Sequence, residues 1–204
     1  MAGMTLNIQI KGDPAALQAT ARWLTKTAEQ ADGSARQVYL ARIDSADGWD
    51  GAAAEGFRSV MSKARDDVDD VVADLRRTSA ALTAYADELE GCRQGMRRAR
   101  EIAAKAGLPT TDTTIDPPGA PPVAPQGLGM GPYAGEKGRV YKAYLGARNH
   151  YAAQVKAYYE AAVIANFARR KERQAQAVLL DFLDNFAKSS PFSATDLSVG
   201  IVGT

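Results

Sequence analysis

The sequence predicts an all-α protein: a long antiparallel helical hairpin, coiled-coil-like and turned at a Trp-x-Gly corner, then a Pro-rich linker and a C-terminal helix or helix pair. Three observations carry this expectation. Residues 51–106 hold two apolar series at seven-residue spacing, one at Met61, Val68, Leu75, Leu82, Leu89, Met96 and Ala103, the other at Phe57, Ala64, Val71, Thr78, Tyr85, Cys92 and Ala99. Charged residues such as Arg65, Asp66, Asp67, Asp69, Asp70, Arg76 and Arg77 fall between them, as on a long helix with a coiled-coil seam. Upstream, Leu17, Ala21, Leu24, Ala28, Ala31, Ala35 and Val38 repeat the spacing in mostly small residues. Between the two lies Gly48-Trp49-Asp50-Gly51, which has turn chemistry.

Bulk properties narrow the function. A chain of 204 residues with formal charge +1 suits one domain or one domain plus an appendage, and gives no electrostatic case for nucleic acid. The one cysteine, Cys92, excludes an internal disulfide or a cysteine zinc cluster. Met1 to Asp13 lacks a basic region, an apolar run and a cleavage site, so an ordinary secretory signal is not expected. No stretch approaches the roughly 20 apolar residues of a membrane span.

Taken in order, Thr5 to Lys11 alternate apolar and polar as a short half-buried strand does, and Leu197 to Val202 is the other strand-like run, so a short terminal β pairing is expected. Asp13 and Pro14 supply an N-cap and a first helical residue for a helix reaching about Asp44. Small residues on its inner line let it approach the bulkier seam closely. Gly33 is an interior weakness. Asp47 or Asp50 can cap the next helix. That helix, some 80 Å long at 1.5 Å per residue, outlasts its partner, so the seam from Leu82 to Ala103 needs another cover. Gly107 and Pro109 stop it. Leu108 to Pro132 reads as an extended linker without fixed structure. A last helical block starts near Glu136 with a stripe at Val140, Tyr144, Ala147, Tyr151, Val155, Tyr158, Ala162 and Ala165, fades over a polar waist at Arg169 to Gln174, returns at Ala175, Leu179, Phe182 and Phe186, and ends at Pro191. It is the candidate cover for the distal seam. The expected divisions are 1–107 hairpin, 108–135 linker, 136–190 helical segment and 191–204 tail.

Gly48, Trp49, Gly51, Ala53, Ala54 and Phe57 stand as GWxGxAAxxF between two helices, preceded by Ile10-x-Gly12-Asp13-Pro14-x-x-Leu17. This resembles the WXG (Esx-like) superfamily of type VII secretion substrates, in particular the N-terminal domain of actinobacterial type VII effectors, over roughly Leu6 to Ala106. The resemblance implies a hairpin exported without a cleaved signal peptide from a Gram-positive bacterium, cytoplasmic before export and secreted or at the cell surface after it. It implies as partners the type VII machinery and a second copy or another helical protein. It places the export and interaction motif at Gly48, Trp49, Gly51 and Phe57. In the family a Y-x-x-x-D/E motif on a helix end supplies a second signal. Here Tyr85 is followed four places on by Leu89, with acids at Asp87, Glu88 and Glu90, so that segment is at most a degenerate form.

No catalytic, cofactor or metal constellation is evident: His150 is the one histidine, and no phosphate-binding glycine loop, H-E-x-x-H or G-x-S-x-G occurs. The paired acids from Asp66 to Asp70 read as a solvated outer face, and the Arg169 to Arg173 cluster as a solvated waist. The expected function is therefore non-enzymatic, with no cofactor, no small-molecule substrate, and no nucleic-acid or membrane contact. Two readings compete with it: residues 133–204 as a small toxin acting on membrane or nucleic acid, and a cytosolic coiled-coil scaffold or chaperone.

Overall fold

The computed structural model describes residues 4–126 and 134–189, and the structural statements that follow concern those residues. The fold is all-α, as expected: α1 (Pro14–Asp44), α2 (Ala52–Lys105) and α3 (Gly135–Ser189), with two short strands, β1 (Leu6–Asn7) and β2 (Thr114–Ile115). The C-terminal block is one continuous helix of 55 residues rather than two in tandem. Two compact units divide the chain: Asp13–Glu88 with Ala175–Thr204, and Met1–Gly12 with Leu89–Gln174.

In the first unit, Asp13 caps α1. Its Oδ1 accepts from the amides of Ala15 at 3.0 Å and Ala16 at 3.4 Å, and Pro14 takes the position where no amide is needed. α1 and α2 run antiparallel, tied by Gln18 to Asp87, Thr25 to Ser79, Asp32 to Arg76 and Arg42 to Ser62. The buried line of α1 is Ala21, Ala28 and Ala35, and that of α2 is Val72, Ser79 and Ala86. Both lines repeat every seven residues, but the α2 line lies one position beyond the expected Val71, Thr78 and Tyr85, which are half-buried along with Val68, Leu75 and Leu82. Small residues on both sides let the backbones approach, and the bulky seam residues are pushed to the flanks. Ser79 satisfies its hydroxyl at that contact: its Oγ donates to the Ala21 carbonyl at 2.8 Å and lies 2.8 Å from Thr25 Oγ1. Gly33 has open space where a Cβ would stand. Gly33→Ala is therefore expected to stabilise this unit by about 0.5–1 kcal/mol, read as a raised denaturant midpoint with unchanged slope.

In the second unit the seam from Leu89 onward is covered, with Leu89, Cys92, Met96, Ala99 and Ala103 all buried, whereas Leu82 and Tyr85 at its expected start are half-buried in the first unit. The cover is α3, antiparallel to α2. Cys92 Sγ lies 3.3 Å from the Ala168 carbonyl, Gly95 faces Ala168, and Gln154 donates to the Gly107 carbonyl at 3.0 Å. The α3 residues that bury are Ala157, Tyr158, Ala161, Ala165, Ala168 and Glu172. The earlier part of the expected stripe, at Val140 and Ala147, is exposed. α2 ends in a Schellman arrangement: Gly107 has φ 75°, its amide bonds to Ala104, and Leu108 bonds back to Ala103 at 3.0 Å.

The stretch after Leu108, expected to lack fixed structure, is ordered at its start. Its β2 pairs antiparallel with β1, Leu6 opposite Ile115 and Asn7 opposite Thr114, and the Ile8 amide bonds to Thr113 at 2.8 Å. Ile115 is completely buried opposite Leu6, and Ile8 and Ile10 are buried as well, so the register is fixed by apolar side chains. The expected partner run, Leu197 to Val202, lies outside the described residues. So does Pro191. The waist is also less solvated than expected, because Glu172 is buried and pairs with Arg169 at 2.9 Å, while Arg169 reaches Asn7 Oδ1 at 2.9 Å.

Candidate functional site

The corner between α1 and α2 is built from local hydrogen bonds. Ser45 closes α1 by bonding to Ala41 at 3.1 Å, and its hydroxyl turns back to the Arg42 carbonyl at 2.7 Å. Gly48 and Gly51 have φ of 84° and 100°, a region that only glycine enters without strain. The Gly51 carbonyl accepts the first α2 bond, from Glu55, at 3.1 Å, so Gly51 itself opens the helix. Arg58, one turn further, donates to the carbonyls of Ser45 at 3.1 Å and Trp49 at 3.2 Å. Those two bonds satisfy turn carbonyls that no helix can reach.

Trp49 stands in the middle of this turn. Its ring lies 5.3 Å from that of Phe57, tilted by 46°, so one face is packed and the residue remains 42% exposed. A ring that merely plugged the hairpin would be covered on both faces. Leu40 and Ile43 in the last turns of α1 and Val60 in α2 are also exposed, and Arg65 stacks 4.5 Å over Tyr39. The corner thus presents apolar surface on a hydrogen-bonded frame, suited to contact with protein. The motif residues Gly48, Trp49, Gly51 and Phe57 are brought together. Arg58 and the α1 residues Leu40 and Ile43 were missed from the sequence, although an arginine directly after Phe57 was the available signal.

The Tyr85 segment looks different. Tyr85 is half-buried, Asp87 accepts from Gln18 at 3.1 Å, and Glu88 is exposed. Glu90, in the other unit, pairs with Arg97 at 2.7 Å, and that hydrogen bond holds its carboxyl below the usual range. His150 is exposed, as are Asp66, Asp67, Asp69 and Asp70. Among the described residues no group of histidine, cysteine or carboxylate side chains is arranged to hold a metal ion, and no helix is long and apolar enough to cross a membrane.

An antiparallel helical hairpin whose turn carries a half-packed tryptophan and two left-handed glycines defines a small class of helical interaction domains. Residues 9–92, somewhat under half of the chain, match the family model WXG100, described as proteins of 100 residues with WXG, which supports a WXG-superfamily, Esx-like hairpin in that stretch. That match supports a helical protein associated with type VII secretion. No curated protein and no solved structure matches the chain.

Proposed function

We propose that the protein is a non-enzymatic type VII secreted protein, or the helical N-terminal domain of an effector, read for export through its Trp-x-Gly hairpin and working by helix–helix interaction. The observation that carries this reading is the tryptophan: half of Trp49 is offered to solvent from a turn held by two positive-φ glycines and by Arg58. Burial gains do not explain an exposed indole at a rigid corner, whereas recognition does. Residues 1–107 serve as the export and interaction domain, and residues 136–190 as the helical segment that completes it or meets a partner. The partners are the secretion machinery and a second copy or another helical protein of a Gram-positive cell. The second signal comes from Tyr85, Asp87, Glu88 and Glu90 or from the partner.

Trp49→Ala tests the reading. The ring is only half-packed, so the variant is expected to keep its helicity and melt close to the wild type, while the protein disappears from culture supernatant and accumulates in the cell pellet. Gly51→Ala adds strain at φ 100° and should act in the same direction with a larger loss of stability. Export of folded Trp49→Ala at the wild-type level would overturn the reading.

A further inference from the structure

The last third of α2 carries an unusual run of charge. From Gly91 to Arg100 it reads GCRQGMRRAR, with Arg93, Arg97, Arg98 and Arg100 and no carboxylate. Like charges four apart on a helix cost about 0.2–0.5 kcal/mol per pair, so such a run is stabilised only when something neutralises it. Three of the four, Arg93, Arg97 and Arg100, share one face and line a cleft of about 260 Å³ whose other walls are Ile8, Gln9 and Ile10, with Met96 and Asp112 completing it. Three arginines, met by Asp112 in the lining and by Glu90 beside Arg97, leave the cluster positive.

The partners of these arginines show how the charge is met. Arg93 donates to the Gly12 carbonyl, which anchors it to the segment before α1. Arg97 reaches to Glu90 at 2.7 Å, and Arg100 to Asp112 at 2.6 Å. Asp112 comes from the turn before β2 and its side chain is 96% exposed, so a single surface ion pair holds it. Exposed pairs of this kind contribute about 0–1 kcal/mol. A carboxylate held that weakly, in a cleft whose Arg97 is likewise held by one partly exposed pair with Glu90, occupies the place of a ligand oxygen and can be displaced.

We propose that this cleft binds a small, multiply charged oxyanion, with Arg97 and Arg100 as its forked donors and Asp112 as an internal competitor. Guanidiniums present paired N–H groups that match the oxygens of phosphate or carboxylate, and two of them spaced three residues apart address two such groups at once. The small volume and the apolar floor at Met96 favour a compact ligand over a nucleic acid strand.

Calorimetric titration of the full-length protein with pyrophosphate and, separately, with citrate tests the proposal and distinguishes phosphate from carboxylate as the source of the oxygens. Saturable binding of at least one anion is expected. Arg97→Gln combined with Arg100→Gln should weaken it about tenfold or more, and Asp112→Asn should tighten it several-fold by removing the competitor. A merely structural Asp112 would not produce that gain. Absence of saturable binding by both anions, or wild-type affinity in the folded double arginine variant, would overturn the proposal.

Discussion

Leu89→Ala is expected to cost about 2–5 kcal/mol in the unit formed by residues 4–12 and 89–174, among the largest losses from any single truncation in the chain. Leu89 is 1% exposed and is one of the largest fully buried side chains. One of its methyl groups sits 3.0 Å from where a Cβ on Gly12 would stand, and Gly12 has φ 100°. The backbone there is held by the Arg93 bond to the Gly12 carbonyl. A backbone held there fills the vacated volume poorly, so a cavity term adds to the lost transfer energy. Leu82, half-buried seven residues earlier in the other unit, provides the control: Leu82→Ala should cost less than half as much. Because the chain has two units, hydrogen exchange resolved along α2 is the suitable measurement. A Leu89→Ala loss below about 1 kcal/mol would mean that the distal seam is loosely packed.

The contrast between these two leucines shows what the sequence made legible. Heptad spacing placed Leu82 and Leu89 on one seam, yet Leu89 is buried in its unit while Leu82 is only half-buried in the other. What spacing could not supply was which flank of the stripe its cover would take. α1 offers alanines at 21, 28 and 35, and these bury against Val72, Ser79 and Ala86. A reading weighted by apolar bulk favours Leu75 and Leu82 over Ser79, yet close backbone approach rewards the smaller side chains. The distal seam needed a cover beyond α1, and residues 89–103 meet both the segment around Ile8 and Ile10 and the helix α3. On α3 the buried residues fall at Tyr158, Ala161, Ala165, Ala168 and Glu172 rather than along the earlier tyrosines.

β2 was illegible for a related reason. Thr110 to Asp116 has the composition of a linker, and one isoleucine gives no alternation to detect. Yet Ile115 is completely buried, and the strand pairs with residues more than a hundred positions earlier. Long-range pairing of so short a strand leaves almost no local signature. The corner was the opposite case. Glycines at 48 and 51 with tryptophan between them state their geometry in the sequence, because positive φ restricts the choice of residue. The clamp by Arg58 and the exposed Leu40 and Ile43 beside it became visible only in the structure.

Arg169→Met is expected to destabilise the same unit as Leu89→Ala, by about 3 kcal/mol, through a different mechanism. Arg169 bonds Glu172 at 2.9 Å and Asn7 Oδ1 at 2.9 Å, so one guanidinium compensates a buried carboxylate and fastens β1 to α3. The Glu172 side chain is 9% exposed. Methionine preserves the aliphatic stem but leaves that carboxylate without its charge partner in a low-dielectric setting, which costs more than the pair itself ever contributed. Two consequences separate this from a packing defect. Protection of the Ile8 amide, which bonds across to Thr113 at 2.8 Å, should fall with the variant, since β1 loses its tie to the helix. Adding Glu172→Leu to Arg169→Met should recover most of the loss, because an apolar side chain of similar size has nothing left to neutralise. If the single variant stays within about 0.5 kcal/mol of wild type and Ile8 remains protected, water satisfies Glu172 and the waist is a solvated surface after all.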